Sequence, residues 1–205
     1  MLTDVLEQAE VDATVALPAP RRQGTISVEE AISRRRSCRA YQRRPLSLEQ
    51  IGQLCWAAQG VTSSDGLRAA PSAGASYPLE LYLVCREGLF HYRPDGHGLE
   101  KRSAQDARRE LAQAALKQEF IAEAPVVLVI TAVYERTTRR YRDRGIRYVH
   151  MDVGLAVENL HLQAEALGLG SVSIGAFQDD RIAEILHLPS TERPLYLVPV
   201  GHARK

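Results

Sequence analysis

Two segments of the chain place apolar residues at the spacing of an amphipathic helix. In "SLEQIGQLCWAAQG", residues 47–60, the apolar positions from Ile51 to Ala58 recur at intervals of three and four. A serine followed three residues later by glutamine opens this segment as a capping box, and a glycine closes it. The segment "SVEEAISRRRS", residues 27–37, begins with a serine and a glutamate at the same spacing and predicts a shorter helix.

Other segments are rich in β-branched and aromatic residues and predict strands. Residues 79–85, "LELYLVC", and 89–93, "LFHYR", are separated by a Glu-Gly turn and predict a hairpin. "APVVLVITAV", residues 124–133, is too short to cross a membrane as a helix and predicts a buried strand. "PLYLVPVG", residues 194–201, predicts the last strand.

The remaining periodic segments predict helices and complete the fold class. Residues 104–118 predict one helix, and residues 147–167 a long one that is apolar on several faces and therefore packed on more than one side. Strands and helices follow each other in an irregular order, which indicates an α+β fold and not a strictly alternating doubly wound one. Residues 25–205 are expected to form a single domain, and the prolines and glycine in "LPAPRRQG" predict that residues 1–24 are an extended segment.

Composition and charge exclude several function classes. The chain has 26 basic and 25 acidic residues, so we expect no dedicated nucleic-acid partner. The three cysteines show neither a zinc-ligand spacing nor a disulfide framework, and we expect no metal. With no basic leader followed by an apolar run and no spanning segment, we expect a cytoplasmic protein without a membrane partner. No glycine-rich nucleotide fingerprint stands between a strand and a helix.

The positive charge is concentrated in one place, "RRRSCR", residues 34–39. Cations at the end of a helix complement its dipole, which explains one or two of these arginines. Four cations repel each other unless an anion lies among them, and the planar guanidinium suits a phosphate. The residues alone leave both interpretations open. Cys38 within this segment is interpreted as structural, because no histidine pattern partners it.

The arginine segment and several later segments also resemble those of a known protein family. "RRSCRAY", residues 35–41, resembles the Arg-Arg-Ser-x-Arg-aromatic signature near the start of FMN-dependent proteins of the nitroreductase superfamily. The chain is similar above all to the SagB-type dehydrogenase branch, which includes thiazoline and oxazoline oxidases of peptide-modifying pathways. Further matching segments, in order, are "LCWAAQGV", "APSAGASYPLELYLV", "GLFHYRPDGHGLE", "APVVLVITAVYERT", "RYRDRGIRYVHMDVGLAVENLHLQAEALGLGSVSIGAF" and "PLYLVPVGHAR".

The resemblance implies a nitroreductase-like fold, in which helices flank a mostly antiparallel central sheet. It also implies an intertwined homodimer with two FMN sites between the subunits. It implies hydride transfer through flavin N5, from NAD(P)H or an organic donor to a small-molecule or peptide substrate. Nitro or quinone reduction and azoline dehydrogenation are the implied reactions. The residues that the resemblance assigns to the FMN phosphate and ribityl chain are Arg35, Arg36, Ser37 and Arg39, with Arg204 as a second phosphate contact.

Two further segments are assigned to the flavin ring by the same resemblance. Pro71, Ser72, Ala73 and Gly74 would approach the ring from the partner subunit, and Ile174, Gly175 and Ala176 would pass beside N5. Small residues suit the close approach of backbone to a flat ring. Without the resemblance, the first segment is read as a surface turn and Gly175 as a strand irregularity.

The implied catalytic pair departs from the family pattern. Azoline-oxidising members have a Lys-Tyr pair where this chain has Arg140 and Tyr141. Arginine stays protonated and is a poor general base, whereas Tyr141 could act as an acid or orient a substrate. Arg144 and Arg147 either guide an anionic substrate or form a solvated face.

Three alternatives to this chemistry follow from the residues. The departure at Arg140 also fits a non-catalytic member of the fold that acts as a pathway scaffold. An RNA-binding module is disfavoured, because few aromatic residues interleave with the basic ones. His150 and His161 are spaced poorly for a metal pair and are interpreted as buried or interface residues.

Overall fold

The protein is built on one antiparallel sheet of seven strands in the order β1-β4-β3-β2-β5-β7-β6. The computed structural model describes residues 2–204. The strands are β1 (Thr14–Ala16), β2 (Leu79–Cys85), β3 (Gly88–Arg93), β4 (Gly98–Ser103), β5 (Val126–Val133), β6 (Gly170–Ser171) and β7 (Glu192–Gly201). Every pairing between these strands is antiparallel, which confirms the predicted α+β class.

Helices cover both faces of the sheet. They are α1 (Leu2–Gln8), α2 (Val28–Arg34), α3 (Leu48–Gln59), α4 (Arg108–Ala114), α5 (Phe120–Glu123), α6 (Glu135–Tyr141), α7 (Arg144–Ala166) and α8 (Asp179–Ile185), with a 3-10 turn at Ala73–Ala75. The helices α3 and α7 pack with alternate residues of β2 and β5 into one core cluster. The opposite residues of the same strands pack with α4 and α8 into a second cluster.

The predicted hairpin and buried strand are confirmed. β2 pairs with β3 from Tyr82–His91 to Cys85–Gly88, and β5 is buried between β2 and β7. The predicted α3 also forms, and its capping box between Ser47 and Gln50 is complete on both sides. The helix predicted over 104–118 is shorter, since α4 ends at Ala114.

The extended segment predicted for residues 1–24 is wrong for two stretches. Leu2–Gln8 is helical, and its Leu6 is buried in the first core cluster. Thr14–Ala16 forms β1, in which Val15 points inward and pairs with Leu99 of β4. The prolines that suggested an extended chain lie only after this strand, so they predict the conformation of the last part of the segment and not of the residues before it.

The long helix α7 buries one face and leaves the other uncovered in the single chain. Its buried residues recur at intervals of three and four from Val149 through Val153 to Leu160. Met151 and Leu155 on the outward face are 54% and 48% exposed. The outward face also carries Gly154, whose missing side chain leaves open space. The expectation that α7 packs on more than one side is met by its contacts with α2, α3 and α6, although the outward face stays uncovered within one chain.

Candidate functional site

The arginine segment leaves the end of α2 and is fixed against β6. Arg35 is the C-terminal cap residue of α2, and its backbone is no longer helical. The Cys38 N–H donates to the Ser171 carbonyl at 3.0 Å, and Ser37 forms a bridge to the same serine. The Ser171 hydroxyl lies 2.8 Å from Nδ1 of His161 on α7. The backbone of the segment is thus held in place by the sheet and α7 together.

The side chains of the arginine segment point outward, and most of their N–H hydrogen-bond donors remain accessible. Arg35 lies 3.8 Å from Glu158, in an open ion pair. Arg36 donates to the carbonyls of Ser33 and Arg35 at 3.0 and 2.7 Å. Arg39 is exposed and lies 5.9 Å from the centre of the Phe120 ring.

The C-terminal end of the chain returns to the same place. The Arg204 N–H donates to the Ala40 carbonyl at 2.9 Å, and Tyr41 forms an antiparallel bridge with Ala203. The Tyr41 hydroxyl is buried, 2.5 Å from the Cys38 carbonyl and 3.1 Å from that of Pro199. Residues that are more than 160 positions apart in the sequence are therefore joined here, and the Arg204 side chain is exposed.

The chemistry of this donor set suits a phosphate dianion. The two chain segments that meet here carry Arg35, Arg36, Arg39 and Arg204, together with the exposed Ser37 hydroxyl. Among the ion pairs of the described residues, only Glu158 offsets any of these charges, at the long distance of 3.8 Å. Cations that are close together and poorly neutralised favour an anion, and the guanidinium fork can bind phosphate with two hydrogen bonds.

Residues Ile174 to Ala176 follow β6 at the edge of the sheet. Ile174 is buried and exchanges two backbone hydrogen bonds with Leu197, at 2.8 and 3.0 Å. Gly175 and Ala176 are exposed, and a Cβ at Gly175 would come within 3.5 Å of Tyr196. The strand pairing thus ends where the exposed backbone begins, so Gly175 can be approached closely from solvent.

The small-residue segment at Pro71–Gly74 makes a tight turn over α7. The Ala73 N–H donates to Oδ2 of Asp152 at 3.3 Å, and the Ser72 hydroxyl accepts from the Tyr77 N–H at 2.9 Å. Exposed Gly74 has φ of +61°, a region that favours glycine. Asp152 is buried, and burial raises the pKa of its carboxyl while the hydrogen bond from Ala73 opposes that shift.

Arg140 and Tyr141 lie directly against this turn. A Cβ at Gly74 would stand 2.7 Å from the Tyr141 hydroxyl and 3.0 Å from Nη1 of Arg140. The Tyr141 ring packs edge-on against Tyr148 at 5.1 Å, and the Arg140 guanidinium lies 5.4 Å from the Tyr141 ring centre. The structure therefore brings the predicted catalytic pair together with the predicted ring-facing turn.

Within one chain these two groups of residues stay apart. The arginine segment contacts α7 at Glu158, and reaches His161 only through Ser171 of β6, whereas the turn contacts α7 at Asp152. At the usual rise of 1.5 Å per residue, these helix positions are about 9–14 Å apart along the axis. The structure thus joins Arg35–Arg39 with Arg204 and β6, and separately joins Pro71–Gly74 with Arg140 and Tyr141.

Comparison with known proteins assigns the chain to a protein family. The Nitroreductase family matches residues 32–202. The chain belongs to the nitroreductase family. The "putative nitroreductase" of Methanocaldococcus jannaschii is 50% identical over 182 residues, 86% of this chain and 91% of that protein. The nitroreductase crystal structure from Ralstonia eutropha JMP134 has 30% identity and a TM-score of 0.86, covering 94% of this chain and 90% of that one. The expected nitroreductase-like fold is confirmed.

Two further relatives are longer than the chain. The microcin B17-processing protein McbC of Escherichia coli is 28% identical over 135 residues, 59% of this chain and 48% of McbC. The FMN reductase [NAD(P)H] of Bacillus subtilis is 26% identical over 189 residues, 85% of this chain and 65% of that protein. The chain therefore spans about half of the first relative and just under two thirds of the second.

Some contacts of the candidate site were not predicted from the sequence. The spacing around Asp152 and His161 gave no signal of their contacts with Ala73 and Ser171, which depend on tertiary packing. His161 is buried as expected, and burial lowers its pKa. His150 is exposed and lies 2.6 Å from the Tyr134 hydroxyl. Across residues 2–204, three or more potential metal ligands do not cluster anywhere, and none of the helices is long and apolar enough to cross a membrane.

Proposed function

We propose that the chain is an FMN-dependent oxidoreductase that acts as a homodimer. It would transfer hydride between NAD(P)H, or an organic donor, and a small-molecule or peptide substrate. Membership of the nitroreductase family supports flavin chemistry, and the name of the Bacillus subtilis relative supports FMN with a nicotinamide donor.

One observation carries this proposal: the arginine segment and Arg204 meet at a single exposed place. The hydrogen bond from the Arg204 N–H to the Ala40 carbonyl sets this meeting, at 2.9 Å. Arg35, Arg36 and Arg39 would bind the FMN phosphate, with the Ser37 hydroxyl as a further donor. Arg204 would bind the phosphate from the opposite side.

The ring-facing residues fit the remainder of the flavin. Exposed Gly175 and Ala176 leave room for a flat ring beside the sheet edge, and FMN, when bound there, would supply hydride transfer at N5. The free N–H groups of this backbone would orient the ring. Pro71–Gly74 would cover its other face, with Ala73 fixed in place by Asp152.

A homodimer explains why the two groups of residues are separate in one chain. The turn at Pro71–Gly74 of one subunit would complete the site that holds the arginine segment of the other. The outward face of α7, with Met151 and Leu155 exposed around Gly154, supplies an apolar surface for this pairing. A glycine at its centre allows two helix backbones to approach closely.

The donor or substrate is proposed to be anionic. Arg140 is exposed on α6 beside the turn at Gly74, and Arg144 and Arg147 are exposed at the start of α7. Arg144 lies 5.7 Å from the Tyr148 ring centre, which keeps its guanidinium near Tyr141. Tyr141 would orient the reacting group or donate a proton from its hydroxyl, while Arg140 would hold negative charge.

The SagB-type branch is the finer part of this proposal. Similarity to McbC over 135 residues supports it, and a peptide substrate would follow. Arg140 in place of lysine removes the general base of azoline oxidation, so nitro, quinone or flavin reduction is the preferred reaction.

The proposal is tested by the flavin content of arginine variants. The double variant R35A/R39A should bind FMN about a hundredfold more weakly, since two charge-assisted hydrogen bonds contribute about 3 kcal/mol even at the low end. The matched control R43A/R44A removes two exposed arginines outside the site and should leave FMN binding unchanged. Flavin fluorescence titration measures both. Full FMN affinity in R35A/R39A would overturn the assigned site.

A non-catalytic scaffold is the second candidate, and Arg140 is the observation that favours it. Such a protein would bind FMN or another ligand without turnover. Anaerobic addition of NADPH separates the two functions, because an oxidoreductase bleaches the visible flavin absorption whereas a scaffold leaves it unchanged.

A further inference from the structure

Glu80 on β2 has a largely buried carboxylate that none of the roles described above uses. Its side chain is 15% exposed, and one oxygen lies 2.8 Å from Nε2 of His91 on β3. The other oxygen accepts from the Arg136 guanidinium on α6 at 2.5 Å. The His91 ring in turn stacks on the Tyr82 ring, with centroids 4.5 Å apart. One carboxylate thus connects the sheet to the first turn of α6 through two charge-assisted hydrogen bonds.

The ionised form of Glu80 is the one that these contacts stabilise. Burial alone would raise the pKa of its carboxyl, but the hydrogen bond with His91 and the charge of Arg136 outweigh burial, so the pKa is lowered. Glu80 is therefore a carboxylate at neutral pH. Because a carboxylate can only accept hydrogen bonds, Nε2 of His91 is the donor in this pair.

Arg136 extends the connection from Glu80 to the backbone that follows the small-residue turn. Its Nη2 faces Glu80, whereas its Nη1 donates to the Tyr77 carbonyl at 3.0 Å. The next residue of α6 is buried Thr137, whose hydroxyl lies 2.7 Å from that of Ser76. Two consecutive residues of α6 are therefore bonded to two consecutive residues of the segment that leaves the turn.

The backbone at Tyr77 has a conformation that needs such contacts. Ala75 and Tyr77 have φ of +51° and +44°, in the left-handed region that disfavours residues with a side chain. Such conformations persist where the surrounding structure holds them. The Tyr77 N–H donates to the Ser72 hydroxyl at 2.9 Å, and the Tyr77 hydroxyl accepts from the Arg68 N–H at 3.2 Å. The hydrogen bond from Arg136 adds to these by fixing the carbonyl of the same residue.

Tyr141 lies at the other end of the helix that Arg136 begins to fix. The two residues are five positions apart, which is about 7.5 Å along α6. Arg136 meets Tyr77 at one end of this contact, and Tyr141 meets Gly74 at the other. The helix and the turn thus run side by side in opposite directions. The place where Arg136 is held therefore determines where the Tyr141 hydroxyl stands.

We propose that Glu80 and Arg136 are positioning residues for the reaction, which hold the Tyr141 hydroxyl over the turn at Pro71–Gly74. Neither residue belongs to the segments that the resemblance assigned. This role rests on the proposed function, because Tyr141 must act in the reaction for its placement to matter. Loss of either charge would release the first turn of α6 from β2 and from the Tyr77 carbonyl.

The test compares E80Q and R136Q with two matched controls. Glu100 on β4 is also a carboxylate that binds two cations, and its side chain is 16% exposed, but both of those partners are arginines of the sheet rather than of α6. E100Q is therefore the control for E80Q. R139Q removes another exposed arginine of α6 and is the control for R136Q. The Arg136 side chain is 40% exposed, so R136Q tests the role even if E80Q does not fold.

The reaction is measured as the reoxidation of flavin by nitrofurazone in stopped flow, with the FMN-loaded protein first reduced by dithionite. The limiting rate should fall about tenfold in E80Q and R136Q, because a misplaced reacting group slows the chemical step. The nitrofurazone concentration that gives half of this rate should stay unchanged, and both controls should match the wild type. In a Y141F background, E80Q should slow the reaction no further, since the hydroxyl that Glu80 positions is absent.

Hydrogen exchange followed by mass spectrometry tests the contact without any catalysis. The amides of residues 73–77 should exchange several-fold faster in E80Q and R136Q than in the wild type, E100Q or R139Q. Unchanged exchange in this segment, an unchanged reoxidation rate, or an equal loss of rate in the Y141F background would overturn the positioning role. A wild-type protein whose reduced flavin does not react with nitrofurazone would instead overturn the proposed function, and the positioning role with it.

Discussion

Replacing Gly74 by alanine tests the contact between the small-residue turn and Tyr141. Gly74 has φ of +61°, and this left-handed conformation costs a residue with a side chain about 1–2 kcal/mol. The added Cβ would also stand 2.7 Å from the Tyr141 hydroxyl, so that side chain must move. Forcing a side chain off its preferred rotamer costs a further ~0.5–1.5 kcal/mol.

The chain contains a matched control for the backbone part of this cost. Gly66 has φ of +77°, and a Cβ there would meet nothing within 4 Å. The variant G66A should therefore lose only about 1–2 kcal/mol, whereas G74A should lose about 1.5–3.5 kcal/mol. Urea unfolding followed by circular dichroism measures both free energies.

A double-mutant cycle isolates the contact itself. Y141F removes the hydroxyl nearest to the new Cβ, so G74A should cost about 0.5–1.5 kcal/mol less in that background. Reduction of a nitroaromatic compound by NADPH should fall in G74A as Tyr141 is displaced, but not in G66A. Equal stability losses for G74A and G66A, with no coupling to Y141F, would refute the reasoning.

Three other predictions concern burial and charge. In D152N, the stability relative to the wild type should improve as the pH rises from the ordinary aspartate pKa of 3.8 through the raised pKa of folded Asp152, because only the wild type must then bury a charge. Urea unfolding across this pH range measures the difference in stability. A difference that does not depend on pH would contradict the prediction. Y41F should destabilise the fold by about 1–3 kcal/mol, because it leaves the Cys38 carbonyl without its partner at 2.5 Å; an unchanged unfolding midpoint in urea would contradict this. R144Q/R147Q should raise the KM for NADPH several-fold with little change in kcat, and added salt should reduce the difference in KM between the variant and the wild type. Initial-rate kinetics measure both constants. An unchanged KM would assign both arginines to a solvated face.

Local patterns predicted the elements whose formation depends on neighbouring residues. The α3 helix was predicted by its capping box and apolar spacing, and the β2–β3 hairpin by its turn. The N-terminal elements were missed, because α1 and β1 are short and gain their stability from packing on β4 and the core. Isolated helices and strands of this length are marginal without such contacts.

The candidate site likewise has one part that the sequence predicted and another part that depends on the fold. The charge at Arg35–Arg39 was visible in the sequence, but its meeting with Arg204 depends on β7 returning beside Ala40. The contact of Tyr141 with Gly74 depends on how α6 folds back onto the turn, and no spacing rule connects positions so far apart. Short-range sequence patterns predict helices and turns. A site that is assembled from distant segments can be predicted only when the topology of the fold is known.

The central helix α7 determines the spacing between the two halves of the proposed site. It contacts the small-residue turn through Asp152 and the arginine segment through Glu158, and His161 holds Ser171 of β6, to which the segment is bonded. Because a helix has a fixed rise per residue, neither half can shift along it without breaking these contacts. If two copies pair through the outward face of α7, the same helix also sets where the turn of one subunit meets the arginines of the other. The geometry of both flavin sites would then follow from one rigid element and its pairing rather than from the loops that carry the binding residues.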